Sequence, residues 1–205
     1  MVTAGMCCSW IGIKCQSSLL FVVFIFMTSV QFDLQPSLSN DVIKLEPLKN
    51  DDFERLYTVA SDPLIWEQHP NKNRYQRSVF ETFFTGAMES GGAFLISDID
   101  TGEVLGSSRF YDLYHHRVMI GYTFLSRSCW GKGINRSLKT LMLDHAFQFV
   151  DEVLFHVGSG NMRSRKAMEK LGAIQVGEEN IQYYGESPVA NVVFAIRKEN
   201  WKQGV

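Results

Sequence analysis

The spacing of apolar residues changes along the chain from a helical period to a strand period. Apolar residues three and four positions apart predict two amphipathic helices, over residues 51–60 and 74–88. A pair of glycines ends the second helix, and apolar residues then alternate with polar ones, a pattern typical of strands. The strands predicted in succession cover residues 93–97, 104–111 and 118–125.

The remaining pattern is an alternation of strands and helices. A short strand precedes the first helix, and a third helix follows a glycine turn at residues 131–133. This order predicts an α/β (α+β) domain with a mixed sheet of seven strands, antiparallel first and parallel around the glycine turn. The elements not yet named are strands over 42–45, 153–157, 174–177 and 189–197 and a helix over 162–171.

The N-terminal segment is apolar at its centre and uncharged over a long stretch. Every residue over 19–27 is apolar, and the 18 residues between Lys14 and Asp33 carry no charge. That length approaches the roughly twenty residues that span a bilayer, but polar residues dilute both ends. Three interpretations stay open: an appendage or artefact, with translation beginning at Met27; a membrane anchor over 11–30; or a signal peptide.

Composition and charge narrow the class of protein. The chain has 205 residues, 45% of them apolar and 20% charged, which is typical of a globular protein with one domain. We predict this domain over 41–200, after a polar linker over 35–40, with residues 1–40 outside the fold. The formal net charge of −2 gives no reason to expect nucleic acid as a partner.

Cysteine and histidine positions predict neither a disulfide framework nor a metal site. The chain has four cysteines, three of them within the first fifteen residues, and none has the Cys-x-x-Cys spacing of a zinc site. No pair of histidines has ligand spacing either. A chain without disulfides favours a reducing compartment, so we predict a cytoplasmic protein, with a membrane tether through residues 11–30 as the alternative.

The glycine turn and a second polar segment carry the candidate chemistry. Residues 130–139 read Trp-Gly-Lys-Gly-Ile-Asn-Arg-Ser-Leu-Lys and lie between a predicted strand and a predicted helix. This order presents free backbone N–H groups at the positive end of a helix dipole, which suits a phosphate or pyrophosphate. The second segment, residues 161–173, reads Asn-Met-Arg-Ser-Arg-Lys-Ala-Met-Glu-Lys-Leu-Gly-Ala. Together the two segments indicate a coenzyme A-dependent acyltransferase.

These segments resemble the GNAT superfamily of N-acetyltransferases, and the resemblance covers roughly residues 42–198. The tryptophan-containing turn and Asn161-x-x-Ser164 are similar to the branch that includes the ribosomal-protein N-terminal acetyltransferases. The superfamily's phosphate loop is usually Gln/Arg-x-x-Gly-x-Gly/Ala, whereas this chain has Trp130 at its first position and Asn135 at its last. The resemblance implies a GNAT fold with helices on both faces of the sheet and a splayed central strand pair.

The resemblance also implies acetyl-CoA as the co-substrate, without a metal. Its pantetheine arm is expected in the gap between the strands over 118–125 and 153–157, paired with main-chain groups. The pyrophosphate is expected on N–H groups of the glycine turn, and Asn161 is expected to hydrogen-bond the pantetheine amide or the product. The residues predicted to contact the coenzyme are Phe124, Leu125, Trp130, Gly131, Lys132, Gly133, Ile134, Asn135, Arg136, Asn161 and Ser164.

Amine acetylation needs a proton for the departing thiolate, besides a neutral amine and a stabilised oxyanion. Many superfamily members take this proton from a tyrosine, at the position that Met168 occupies here. The resemblance suggests Ser164 as the substitute, one helical turn after Asn161 and on the same face. The alternative for this serine is a contact with backbone at the start of a helix. Tyr183 or Tyr184 is a further candidate phenol, although each is more often a packing residue.

Candidates for the base that takes the amine proton lie in the loop between the first two helices. Glu67 and His69 belong to this loop, which flanks the acceptor site in the family's fold; a loop ordered by its own packing is the alternative. His156 is predicted as part of the core or pocket wall, and Cys129 as a small buried thiol. Ordered water is another route for the proton. The catalytic residues predicted are therefore Ser164, Glu67 and Tyr183.

We predict a GNAT-fold acetyltransferase that moves acetyl from acetyl-CoA to a primary amine by direct attack in a ternary complex. The acceptor expected first is a protein N-terminal α-amine, and a small-molecule amine is the next alternative. Met168 and Asn135 also motivate a rival function, a non-catalytic acyl-CoA-binding regulatory module. A homodimer is compatible with the sequence, and membrane contact is expected only if the N-terminal segment is an anchor.

Overall fold

A mixed sheet of eight strands, covered by four helices, forms the described part of the chain. The computed structural model describes residues 31–183 and 187–201, so the N-terminal segment and Tyr184 lie outside the described residues. The strands are β1 (Leu38–Ser39), β2 (Ile43–Pro47), β3 (Ala93–Asp98), β4 (Val104–Tyr114), β5 (Arg117–Leu125), β6 (Glu152–Gly158), β7 (Ile174–Ile181) and β8 (Val189–Arg197). The helices are α1 (Phe53–Ala60), α2 (Arg77–Glu89), α3 (Ile134–Ala146) and α4 (Met162–Leu171). None of the helices in the described ranges has the length and apolarity that crossing a bilayer requires.

The strands lie in the order β1-β2-β3-β4-β5-β6-β8-β7, and every neighbouring pair is antiparallel except β5 and β6. The predicted mixed sheet is confirmed, but it has eight strands instead of seven. The additional strand, β1, lies within the segment predicted as a linker, and its Leu38 pairs with Leu45 of β2. Two residues are too few to show a period of two, so the hydrophobic pattern does not reveal this strand.

Side chains of β3 enter two separate cores on opposite faces of the sheet. Phe94 belongs to the core that includes side chains of α3 and α4, whereas Leu95 belongs to the core that includes those of α1 and α2. Because successive side chains of a strand point to opposite faces, the helices lie on both faces, as predicted. Phe32 packs edge-on against Phe110 of the first core, with 5.3 Å between ring centroids.

Strands β5 and β6 pair over a short stretch and then separate. Their pairing ends at Met119 and Leu154. Beyond this point, β5 keeps β4 on its other edge over residues 120–125, and β6 keeps β8 over residues 155–158. Tyr122 has a φ of 52°, and the register between β4 and β5 shifts beside it. Such a bulge bends a strand and increases its twist, which directs β5 away from β6. The predicted splayed strand pair is confirmed.

Candidate active site

A cavity of about 650 Å³ lies in the gap between the separated strands. Its walls are β5 from Ile120 onward, β6 from Phe155 onward, the glycine turn, α4 and the loop between α1 and α2. The facing strand edges have no strand partner here, so their N–H and C=O groups need another partner. An extended chain with amide groups, such as pantetheine, can supply it. Phe124 and Leu125 both line the cavity, and their side chains are buried in opposite cores.

Two glycines shape the turn before α3. Gly131 and Gly133 have φ angles of 74° and 80°, in the region that favours glycine. Gly133 is the N-cap of α3, and the first N–H groups of a helix have no partner within that helix. These N–H groups and the positive end of the helix dipole attract anions. The turn therefore fits the diphosphate of coenzyme A.

Most of the predicted coenzyme-binding residues lie at the cavity. Lys132 is exposed and Ile134 packs against the core, and neither side chain lines the cavity. Asn135 is the second residue of α3 and does not belong to the described residues with a positive φ, so its position does not require glycine. The predicted residues that line the cavity are Phe124, Leu125, Trp130, Gly131, Gly133, Asn135, Arg136, Asn161 and Ser164.

A capping hydrogen bond joins Asn161 to Ser164. The Oδ1 atom of Asn161 accepts from the main-chain N–H of Ser164 at 3.0 Å and so caps α4. This capping bond explains why the two residues lie three positions apart. The bond uses the side-chain oxygen of Asn161 and the main-chain N–H of Ser164, so the amide N–H groups of Asn161 and the hydroxyl of Ser164 remain available at the cavity wall. Met168 is 3% exposed and packs in the core, and its thioether has no proton to donate.

Arg163 connects α4 to the glycine turn and to the loop before α2. Its guanidinium lies 3.9 Å from the centroid of the Trp130 ring, and its Nη2 donates to the carbonyl of Ile65 at 2.9 Å. Its main-chain N–H donates to the side-chain oxygen of Gln68 at 3.0 Å. These contacts join three separate segments, so they fix the wall of the cavity where the turn and the loop meet.

Tyr183 reaches the cavity with its hydroxyl already hydrogen-bonded. The residue is buried, and its ring meets Tyr122 edge-on with 5.4 Å between centroids. Its hydroxyl donates to Oδ1 of Asn191 at 2.7 Å. The structure therefore brings this phenol to the site but directs its proton to an amide oxygen.

The loop between α1 and α2 brings one of its two candidate bases to the cavity. Glu67 is exposed and does not line the cavity, so the structure does not place it with Ser164 and Tyr183. His69 lines the cavity, and its Nε2 lies 3.1 Å from Nη1 of Arg74. Burial and the charge of Arg74 lower the pKa of His69 to about 3, so this imidazole is neutral at pH 7.

His156 lies in the cavity wall, as predicted, between a phenol and a carboxylate. Its Nδ1 lies 3.3 Å from the hydroxyl of Tyr111, and its Nε2 lies 3.7 Å from a carboxylate oxygen of Glu179. Burial lowers the pKa of His156, and the nearby carboxylates of Glu179 and Asp112 oppose that effect. The neutral imidazole of His156 is thus a further candidate base. Its two partners lie on β4 and β7, which are distant from β6 in sequence.

Lys139, a buried lysine at the cavity, was not predicted from the sequence as a site residue. It lies on α3 in the same stripe as Met142, Leu143 and Ala146, which all face the core. Its Nζ donates to Oγ1 of Thr123 at 2.7 Å. The sequence does contain a signal for this residue, because a lysine interrupts the apolar stripe of α3. Among the described residues, no cluster of three metal-ligating side chains occurs at this site or elsewhere.

Acid should destabilise the protein through His69. Its pKa of about 3 in the folded state lies below the ordinary 6.5, so the unfolded state binds more protons between these values and stability falls as pH falls. From pH 6.5 to 5 we expect His69 to account for a loss of about 2 kcal/mol in the free energy of unfolding. Urea unfolding at both pH values should show a smaller loss for His69→Gln than for the wild type.

The control for this measurement is His116→Gln, because the His116 side chain is 82% exposed. It should keep the wild-type dependence of stability on pH. An unchanged dependence in His69→Gln would contradict a buried neutral imidazole at position 69.

Comparison with solved structures shows the fold. The chain is similar to a GCN5-related N-acetyltransferase from Brucella melitensis, with 17% identity, a TM-score of 0.71, and coverage of 82% of this chain and 80% of that one. It is similar to ribosomal-protein-S5-alanine acetyltransferase from Vibrio fischeri, with 16% identity, a TM-score of 0.61, and coverage of 82% and 100%. It is also similar to spermidine N-acetyltransferase from Vibrio cholerae in complex with CoA and spermine, with 15% identity, a TM-score of 0.61, and coverage of 78% and 98%. No curated protein sequence matches the chain.

A family model supplies the evidence from sequence. The acetyltransferase (GNAT) domain matches residues 43–174, a range that includes both separated strands, the glycine turn and α4. The chain therefore belongs to the GNAT family of acetyl-CoA-dependent acetyltransferases.

Proposed function

We propose that this protein transfers the acetyl group of acetyl-CoA to a primary amine, by direct attack of the amine on the thioester in a ternary complex. The observation that carries this proposal is the course of the cavity. It extends from the glycine turn, between the separated strands, to Tyr183 and His156. Phe155 faces the core beneath α3, so His156 faces the opposite side of the sheet. Since residues from both faces of the sheet line the cavity, we infer that it can hold coenzyme and amine together.

The thiol of Cys129 supports direct attack over a covalent acyl-enzyme. Cys129 lines the cavity, but burial raises the pKa of its thiol. The thiolate is the nucleophilic form, so this cysteine is poorly suited to accept the acetyl group. The incoming amine is then the nucleophile.

Residues of this chain have separate roles in the proposed reaction. The glycine turn holds the diphosphate, and the free edge of β5 pairs with pantetheine. Main-chain N–H groups near the Tyr122 bulge are proposed to stabilise the oxyanion. Ser164 lies in the first turn of α4, where the helix dipole favours negative charge on the sulfur, whereas the proton of the Tyr183 hydroxyl is already donated to Asn191. For the amine proton, His156 and ordered water fit the cavity better than Glu67.

The acceptor proposed first is a protein N-terminal α-amine, with a small-molecule amine as the alternative. The Trp130 turn and the Asn161-x-x-Ser164 motif support the first acceptor. The fold shared with the Vibrio fischeri ribosomal-protein-S5-alanine acetyltransferase supports it too. The fold shared with the Vibrio cholerae spermidine N-acetyltransferase supports the alternative.

The test is to incubate the full-length protein with acetyl-CoA and a panel of amines, and to follow free thiol and product mass. The panel holds peptides with different N-terminal residues, the same peptides with blocked N-termini, polyamines and amino acids. We expect thiol release that depends on a free amine. If coenzyme A binds but no amine in the panel releases thiol, the rival function, a non-catalytic acyl-CoA-binding regulatory module, replaces this proposal.

A further inference from the structure

Lys139 is a fully enclosed amine in the wall of the coenzyme cavity. Its side chain is on α3, and the residue is 3% exposed. Its Nζ donates to Oγ1 of Thr123 at 2.7 Å and to Oγ of Ser108 at 3.3 Å. Both partners are neutral hydroxyls, and no carboxylate among the described residues forms an ion pair with it. The positive charge therefore lacks a counter-charge from the described part of the chain.

A buried cation without an opposite charge is unfavourable for the folded protein. Burial is the sole cause that lowers the pKa of Lys139, to about 7. A methionine or leucine would continue the apolar stripe of α3 at this position. The lysine thus weakens the fold at a place where a ligand is expected to bind, which points to a function.

The amine lies at the level where β5 and β6 have separated. Thr123 follows the Tyr122 bulge of β5, and the Phe155 ring of β6 lies 5.8 Å from Nζ. An ammonium group has three donors, and the two hydroxyls account for two of them. The third donor has no acceptor among the described residues, in a wall that encloses the cavity.

The proposed function gives the departing sulfur of coenzyme A a hydroxyl partner but no cation and no net source of a proton. The diphosphate has the glycine turn, and the pantetheine amides have the strand edges. The sulfur alone gains charge within the gap, when its bond to the acetyl carbon breaks. A serine hydroxyl gives up a proton only if it receives another, whereas an ammonium gives up its own. Ser164 can therefore hydrogen-bond the sulfur without being the net source of the proton.

We infer that the ammonium group of Lys139 binds the sulfur of coenzyme A as it leaves and gives it a proton. This inference rests on the proposed function. The amine nitrogen forms its bond to the acetyl carbon, and the electron pair of the C–S bond passes to sulfur. A proton moves from Nζ to sulfur, which yields the coenzyme A thiol and a neutral Lys139. The proton that the acceptor nitrogen loses passes to solvent, and Lys139 regains one from solvent.

The test compares coenzyme A with desulfo-coenzyme A, which lacks the sulfur atom. Calorimetric titration at about pH 7 keeps about half of Lys139 protonated, because its pKa is about 7, so that the ammonium can donate to the sulfur of coenzyme A. For Lys139→Met we expect affinity for coenzyme A to fall about tenfold, as for the loss of a charge-assisted contact. Affinity for desulfo-coenzyme A should change by less than about twofold, because that ligand never makes this contact. Lys139→Gln should behave in the same way, since it keeps a donor for Thr123 without the charge.

The matched control is Lys44→Met, a substitution of the same kind on the exposed surface of β2. It should leave both affinities unchanged. Equal losses for both ligands in Lys139→Met would show that Lys139 only positions β5, and no loss for either would show that it does not meet the ligand. Both results would overturn the inference. Thiol release with the amine panel tests the proposed function separately. If acetyl transfer occurs but Lys139→Met does not discriminate between coenzyme A and desulfo-coenzyme A, the inference fails and the proposed function is unaffected.

Discussion

Replacing Lys139 with methionine should raise the free energy of unfolding at pH 7 by roughly 2 kcal/mol. Burial lowers the pKa of Lys139 from 10.5 to about 7. At 1.36 kcal/mol per unit, that difference corresponds to about 5 kcal/mol of lost stability. The two hydrogen bonds to Thr123 and Ser108 return about 1 to 1.5 kcal/mol each, and their loss in the variant reduces the gain.

The direction of the pH effect follows from the same difference. The unfolded state binds more protons than the folded state between about pH 7 and 10.5, so the wild type gains stability as pH rises through this window. The methionine variant lacks this contribution. Urea unfolding should therefore show the advantage of Lys139→Met at pH 7 and its disappearance at about pH 10.

Lys44→Met again serves as the control, because the Lys44 side chain is 43% exposed and its ammonium pairs with Glu46. Its effect on stability should stay within about 0.5 kcal/mol. If Lys139→Met has a lower free energy of unfolding than the wild type at pH 7, Lys139 stabilises the folded protein. That result would contradict a lysine that is retained at the expense of stability.

Replacing Gly133 with alanine should weaken coenzyme A binding by about tenfold or more. Gly133 has a φ of 80°, and no atom lies within 4 Å of a Cβ built on it, so the obstacle is conformational. A residue with a side chain loses about 1–2 kcal/mol in this region, and 1.4 kcal/mol corresponds to tenfold in affinity. A turn that relaxes to avoid this strain moves the N–H groups that are proposed to hold the diphosphate. Calorimetric titration with coenzyme A measures the loss.

Gly102→Ala is a matched control for this prediction. Gly102 lies in the turn between β3 and β4, has a φ of 69°, and has no atom within 4 Å of an added Cβ. It should lose a similar amount of stability and keep its affinity for coenzyme A. If both variants lose affinity equally, global destabilisation explains the result and the glycine turn is not the diphosphate site.

The order of elements and the glycine turn were predictable because both depend on near neighbours. Apolar residues recur with a period of 3.6 in a helix or 2 in a strand when one face is buried, so the sequence shows which face that is. A glycine where the chain must adopt a positive φ is equally local. The two-residue strand β1 escaped detection because it is shorter than one period of any pattern.

The contacts of the site were less predictable because they join distant segments. The contact between Asn161 and Ser164 is local, whereas the sequence could not show that Glu67 lies outside the cavity. Nor could it show that Arg163 stacks on Trp130. Such contacts depend on how α4 and the loop before α2 meet across the gap.

The sequence by itself determined the α/β order, the glycine turn before α3 and the membership of an acyltransferase family, since these follow from spacing along the chain. Only the tertiary structure decided how far β5 and β6 remain paired, and which polar groups surround the gap. It also gave Lys139 its low pKa, because the pKa of a lysine depends on the water that packing removes. The surroundings of that amine come from α3, β4, β5 and β6 together, so no single segment of the sequence shows them.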